Sequence, residues 1–482
     1  MGVLSGLEPK AVFQYFEELS VIPRQTYNIG AASDFCVAFA KEHGLSYIQD
    51  EAKNVIIFKP GTEGYENSDP VVLQGHMDMV AVKTDDSDHD FNKDPLDLFV
   101  DGNLIGAKNT SLGGDDGIAI AYAMAVLASD DIPHPPIEAV FTVDEEQGMG
   151  GALALDPTVL KGRVFLNLDS EEEGVMTVGC AGGYIWDTMI PVERSGEEGT
   201  EVTLLINGFL GGHSGMEINK QRGNAHKTIG RILYALSKEF DFNMISTDGG
   251  QAANAIAQKN VTKLVVESEQ AEALAAKAAK LWEEIIAEYM GSEPDATMEV
   301  TVGAAGTFSA MDAASTDNVI RYLYGAPDEV QTYDRAFPGE PETSLNTGVV
   351  TTTEDEVTIR FQVRSSVASK LEMMKDKLAM WTEMVGGSYE VSGAYPAWKY
   401  DPDSKARPMA IEIFKEMFGY EPKVENTHGG LECGILYDRN PNFDIISFGP
   451  NLHDVHSVNE RVDIASTARM WEFLKAILKA CK

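Results

Sequence analysis

Five times along this 482-residue chain a hydrophobic run stops at a turn rich in carboxylates or carrying a histidine. The turns read Gly-His-Met-Asp at 75–78, Leu-Gly-Gly-Asp-Asp-Gly at 112–117, Asp-Glu-Glu-Gln-Gly at 144–148, Asn-Leu-Asp-Ser at 167–170 and His-Ser-Val-Asn-Glu at 456–460. An open α/β sheet builds its site at the carboxyl ends of its strands, which is where such turns would lie. Two imidazoles and several carboxylates converging on one point make a zinc-type ligand set, and a carboxylate between two such sets can bridge two metals.

The apolar patterning supports that placement. Residues 54–59, 70–74, 137–143 and 163–168 read as strands, and 118–129, apolar all round, as a buried helix. Helical spacing recurs at 9–18, 30–43, 405–418 and 464–480. Near residue 186 the texture changes. Residues 191–200 read as a polar turn. After it, strands at 201–207, 253–267, 296–302, 345–351 and 356–363 and helices at 224–239, 268–290 and 367–385 carry none of the ligand pairs. The expected fold class is α/β. A catalytic α/β/α domain with a central, mostly parallel sheet comes from 1–186 and 393–482, and an α+β domain is inserted at 187–392.

A formal charge of −38 repels nucleic acid and anionic lipid. There is no basic-then-apolar leader and no run long enough to span a bilayer, so a cytoplasmic protein without nucleic-acid or membrane partners is expected. Cys36, Cys180, Cys433 and Cys481 form no Cys-x-x-Cys pair and suit a reducing compartment. His43, His89 and His134 read as surface residues.

Each turn has a chemical and a plainer reading. His76 and Asp78 can point to one side of a strand end, with Asp78 fixing the tautomer of a ligating His76, yet His-x-Asp also fits a surface turn. Of Asp115 and Asp116, one suits a helix cap and one a bridging ligand. Of Glu145 and Glu146, one could bind metal and the other act as general base. Asp169 fits a ligand or a strand-end cap, and either His453 or His456 could complete the set. His213, between glycines in the insertion, could stabilise an oxyanion from a mobile module.

In this order and spacing the motifs resemble the di-zinc exopeptidase family of aminoacylases, carboxypeptidases and dipeptidases, and within it the cytosolic aminoacyl-histidine (Xaa-His, or non-specific) dipeptidases. Val-Gly-Cys-Ala-Gly-Gly, Gly-Gly-His-Ser-Gly-Met-Glu-Ile and His-Gly-Gly-Leu-Glu-Cys-Gly-Ile add to the match, which covers nearly the whole chain. The resemblance implies two Zn²⁺, with Mn²⁺ or Co²⁺ able to take similar sites. Asp115 would bridge them, His76 and Asp169 completing one site and Glu146 and His456 the other. Asp78 would orient His76, and the peptide bond after Asp115 would be cis. Glu145 would be the general base for attack by a di-zinc-bound hydroxide, and His213 the lid histidine that polarises the scissile carbonyl. Arg364, and more weakly Asn346, would anchor a substrate carboxylate, and Glu432 a substrate amine. Small dipeptides are the implied substrates, and the inserted domain would serve as lid and homodimer contact. N-acyl amino acid deacylation and an inactive metal-binding scaffold are the alternatives. Asp116 departs from relatives that often carry Asn there.

Overall fold

The structure, a computed structural model, describes residues 2–482, which divide into two compact units. The first comprises residues up to Cys180 together with Trp398–Asn426 and Leu431–Lys482, and the second Ala181–Ala397 with Thr427–Gly430.

The first unit is built on an eight-stranded sheet. Its order is Ser46–Gln49, Val55–Lys59, Ile137–Thr142, Val71–His76, Val164–Asn167, Asp444–Ser447, Val175–Cys180 and Lys423–Thr427. The four central strands, from Ile137–Thr142 to Asp444–Ser447, are parallel, and Val55–Lys59 and Val175–Cys180 join them antiparallel on either side. The parallel core explains the unbroken apolar runs: Val71–His76 and Ile137–Thr142 are buried at every position, as strands covered on both faces must be. On one face Val72, Val140 and Phe165 pack with Leu155, Ile435 and Leu436. On the other, Gly75 lies against Ala119 and Asp116 of the helix Gly114–Ala128. Register sets His76 beside Thr142 and aligns Gln74, Asn167 and Ser447, so the parallel strands end together at one edge.

A second, four-stranded sheet was not expected. It pairs Leu98–Asp101 with Leu104–Ala107, then with Arg461–Asp463 and Leu452–His453. These strands are two to four residues long, too short to show a period, yet they carry the 452–463 segment to the start of the helix Gly114–Ala128. His134, expected at the surface, is buried with Nδ1 against the Pro135 carbonyl. All four cysteines are free, and only Cys481 has some exposure.

The second unit has a nine-stranded sheet whose recorded pairings are all antiparallel, with the helices Ala225–Leu236, Ala271–Glu288, Ala313–Gly325 and Ala368–Met384 sharing its apolar core. The expected polar turn at 191–200 is instead the first part of the strand Arg194–Asn207. Arg194–Thr200 pairs with Ala305–Met311 as a polar, half-exposed ribbon without an apolar face to announce it. Residues 253–259 are loop, and the strand begins at Asn260. The helix Ala313–Gly325 was missed although Asp312 accepts the Ser315 N–H as its cap. Phe242–Gly249 and Ser388–Tyr395 were missed as well, the latter an exposed edge strand. Among the described residues no helix is long and apolar enough to cross a membrane.

Candidate metal centre

The parallel strand ends deliver the expected carboxylates and imidazoles to one place in the first unit. His76 is the last residue of Val71–His76, Glu145 and Glu146 follow Ile137–Thr142, and Asp169 follows Val164–Asn167. Asp115 lies in the first turn of the buried helix, two residues after the left-handed Gly113, and its bond to Asp116 is cis, as expected. His456 arrives from the loop between Leu452–His453 and Arg461–Asp463 and is itself left-handed, with φ 59°. His453 pairs with Arg461 in the small sheet and lies outside the cluster, so His456 is the histidine the fold selects.

Asp115 occupies the centre. Its Oδ1 lies 3.1 Å from His76 Nε2 and its Oδ2 3.0 Å from His456 Nε2, one carboxylate oxygen toward each imidazole. Asp169 Oδ1 is 3.7 Å from His76 Nε2, and Glu146 Oε2 is 3.1 Å from His456 Nε2. Donors held about 2.0 Å from one tetrahedral ion stand roughly 3.3 Å apart, so these separations suit shared ions. Three groups have donor atoms all within 4.8 Å of one another: His76, Asp116 and Asp169; His76, Glu145 and Glu146; and Asp115, Glu146 and His456.

The electrostatics call for cations. Among the described residues the imidazoles are the only ion-pair partners of Asp115, Glu146 and Asp169. Glu146 Oε1 is buried without a protein hydrogen bond. Buried carboxylates without compensating charge hold protons instead. Burial, with repulsion from Asp169 added, raises Asp116 and Glu145 well above the usual carboxylate range, and burial with repulsion from Asp115 and Glu146 raises Asp169 to about 6. Burial also works to raise Asp115, but hydrogen bonds from His456 and His76 outweigh it and hold that carboxyl low. Donating hydrogen bonds to Asp115 and Glu146 pushes His456 up to about 11. Divalent cations would displace these shared protons, and the donor set fits them.

Asp78 supports the ring behind this cluster. It is fully buried, its Oδ1 is 3.5 Å from His76 Nδ1, and that nitrogen also meets the Asp78 carbonyl at 3.2 Å. The same carboxylate accepts the Glu145 N–H at 3.0 Å, the Glu146 N–H at 3.4 Å and the Thr26 hydroxyl at 2.9 Å.

A model of peptidase family M20/M25/M40 matches residues 72–480. The cytosol non-specific dipeptidase of Escherichia coli (strain K12) is 35% identical over 483 residues, 99% of each chain.

The chain belongs to peptidase family M20/M25/M40.

The crystal structure of aminoacylhistidine dipeptidase from Vibrio alginolyticus superposes with TM-score 0.92 at 36% identity, covering 99% of this chain and 98% of that one. Aminopeptidase PepT from Bacillus cereus shares the fold, with TM-score 0.56 and 16% identity over 98% and 99% of the chains.

In this M20 chain the residues expected to meet substrate divide. Glu432 is fully buried in the first unit, its Oε2 accepting from Gln74 Nε2 at 2.7 Å and Thr142 Oγ1 at 2.6 Å. Gln74 Oε1 in turn accepts from Asn167 Nδ2 at 2.6 Å, and the Ser447 hydroxyl donates to Asn167 Oδ1. Glu432 thus belongs to a buried polar ladder behind the strand ends. Its other oxygen, Oε1, is buried without a protein hydrogen bond. Periodicity missed this ladder because Gln74, Thr142, Asn167 and Ser447 read as polar interruptions of apolar strands.

His213, Arg364 and Asn346 lie in the second unit. His213 Nδ1 accepts the Gly215 and Met216 N–H groups, both at 3.3 Å, which assigns the ring proton to Nε2. Arg364 is 5% exposed, donates to Tyr395 Oη at 2.8 Å and keeps a buried Nε without a protein partner. The Asn346 amide donates to the Ala253 and Ala255 carbonyls at 2.7 and 2.9 Å and braces that loop. His428, which sequence reasoning passed over, stands with Nε2 2.7 Å from Ser344 Oγ, and Ser344 is the cross-strand neighbour of Arg364. Burial and then the Arg364 charge hold His428 down at about 3.

Proposed function

We propose that the chain is a metal-dependent dipeptidase that hydrolyses Xaa-His and other dipeptides. The observation that carries this reading is Asp115 turning one oxygen to each of two imidazoles, with Glu145 in the same cluster. His76, Asp115 and Asp169 would hold one ion, and Asp115, Glu146 and His456 a second, with Zn²⁺ the expected metal and Mn²⁺ or Co²⁺ able to use the same donors. Bound there, the ions would supply Lewis acidity for the substrate carbonyl and for an attacking water.

The chain's own groups do the rest. Glu145 accepts the water's proton and returns it to the leaving amine. Asp78 holds the His76 ring and the backbone of Glu145 and Glu146. His213 donates its Nε2–H to the developing oxyanion, and the Arg364 guanidinium anchors the substrate's C-terminal carboxylate. In this reading the second unit is the lid and homodimer segment, supported by the largely exposed sheet edges Thr297–Met311 and Ser388–Tyr395. The Escherichia coli relative's name supports a cytoplasmic location.

N-acyl amino acid hydrolysis is the second reading, and a Glu432 carboxylate that holds the substrate amine would oppose its uncharged acyl groups. Hydrolysis of an Xaa-His dipeptide beside its N-acetylated form, with Glu145→Ala as control, separates the two. Turnover of the free dipeptide alone, lost in the variant, is expected. Preferred cleavage of the acetylated form would move the assignment to deacylase.

A further inference from the structure

The turn that carries Asp115 is gripped from two sides by buried, oppositely charged side chains. Glu460, 2% exposed, accepts four consecutive backbone N–H groups. Leu112 and Gly113 donate to its Oε2 at 2.7 and 2.9 Å, and Gly114 and Asp115 to its Oε1 at 2.7 and 3.3 Å. Arg24, 1% exposed, donates Nη1 to the carbonyls of Met77 and Asp78 at 3.0 and 3.2 Å and Nη2 to the carbonyl of Gly113. Neither forms a direct ion pair among the described residues, so each charge is met by backbone dipoles, with Arg24 and Glu460 attracting each other at longer range.

The glycines of Leu-Gly-Gly-Asp-Asp-Gly exist to admit these groups. A Cβ on Gly117 would stand 2.7 Å from Arg24 Nη2, and one on Gly114 would stand 2.5 Å from Val462 Cγ2 and 3.3 Å from Glu460 Oε1. Chain position gives each grip a direction. Met77 and Asp78 adjoin His76, so Arg24 ties the turn to the His76 segment. Glu460 closes the loop that begins at His456, so it ties the turn to the His456 segment.

We infer that Arg24 and Glu460 are positioning residues that fix Asp115 separately against His76 and His456, giving the two metal positions independent supports. The inference rests on the reading of Asp115 as a shared ligand. A carboxamide at 460 keeps one acceptor oxygen and turns an N–H₂ toward backbone N–H groups, which loosens the His456 side. Methionine at 24 keeps the volume and removes the donors, which loosens the His76 side.

The test is zinc titration of the full-length chain by calorimetry, with circular dichroism on every variant. Wild type is expected to bind two ions. Glu460→Gln should weaken one site about tenfold, the scale of an outer-shell change, and Arg24→Met the other. In a His456→Ala background Glu460→Gln should leave the remaining site unchanged, whereas in His76→Ala it should weaken it, with the reverse for Arg24→Met. Gly114→Ala and Gly117→Ala press on the same two sides while keeping both charged residues, should the charge variants unfold. Equal weakening of both sites, or lost thermal stability with unchanged zinc affinities, would overturn the clasp. A wild-type chain binding fewer than two ions would overturn the shared-ligand reading, and the clasp with it.

Discussion

Replacing Asp78 with Asn tests how much of the site's order comes from behind the ligands. The carboxylate makes four contacts: the His76 ring at 3.5 Å, the Glu145 and Glu146 N–H groups at 3.0 and 3.4 Å, and the Thr26 hydroxyl at 2.9 Å. An amide can accept through only one oxygen, so one side of the new group faces donors with a donor. Losing a hydrogen bond to a charged acceptor costs about 1.5–3 kcal/mol, and a buried unpaired donor about 1–3 kcal/mol more. His76 Nδ1 keeps the Asp78 carbonyl at 3.2 Å, so the ring is only partly released. The larger loss falls on the backbone of Glu145 and Glu146. Metal affinity should therefore drop by only about tenfold, the low end for an outer-shell partner, while kcat/KM falls further, by about a hundredfold, because base and ligand both shift. Competition with a chromophoric chelator gives the first quantity and steady-state dipeptide hydrolysis the second. Both within twofold of wild type would refute the reasoning.

Glu145→Gln should keep the bound metal and lose about 10²- to 10⁴-fold in kcat, the usual worth of a general base; activity within tenfold of wild type would reject that role. Glu432→Leu strands the Gln74 amide and the Thr142 hydroxyl, and urea unfolding should show about 2–5 kcal/mol lost, whereas Glu432→Gln, which retains an acceptor, should lose less; equal effects would contradict the ladder. In the second unit, burial lowers the fully enclosed His226 to about 4. The unfolded chain, titrating near 6.5, then takes up a proton that the folded chain refuses, so stability falls as pH drops from about 6.5 toward 4. At about 1.4 kcal/mol per pH unit this reaches roughly 3 kcal/mol, and His226→Gln should flatten the slope relative to wild type. Identical urea midpoints against pH for the two proteins would count against it.

The cluster was legible because its candidate ligands sit at the ends of strands long and apolar enough to read. His76 ends a six-residue buried strand, and Glu145 and Glu146 lie just beyond another. The supports were not legible. Arg24 and Glu460 act through backbone groups across 89 and 345 to 348 residues of sequence, and no local pattern encodes such partners. The partners of Glu432 were hidden for a related reason: nothing near it in sequence shows that Gln74 and Thr142 donate to it. In the second unit, tertiary pairing overrode local composition, as where Arg194–Thr200 becomes strand only because Ala305–Met311 lies beside it.

The most direct test of the central claim is the recovery of dipeptide hydrolysis as zinc is titrated into chelator-stripped enzyme. The shared position of Asp115 between His76 and His456 predicts negligible activity without metal and full activity at two equivalents per chain. Activity that persists in the stripped protein, or that saturates at one equivalent, would contradict a two-metal centre.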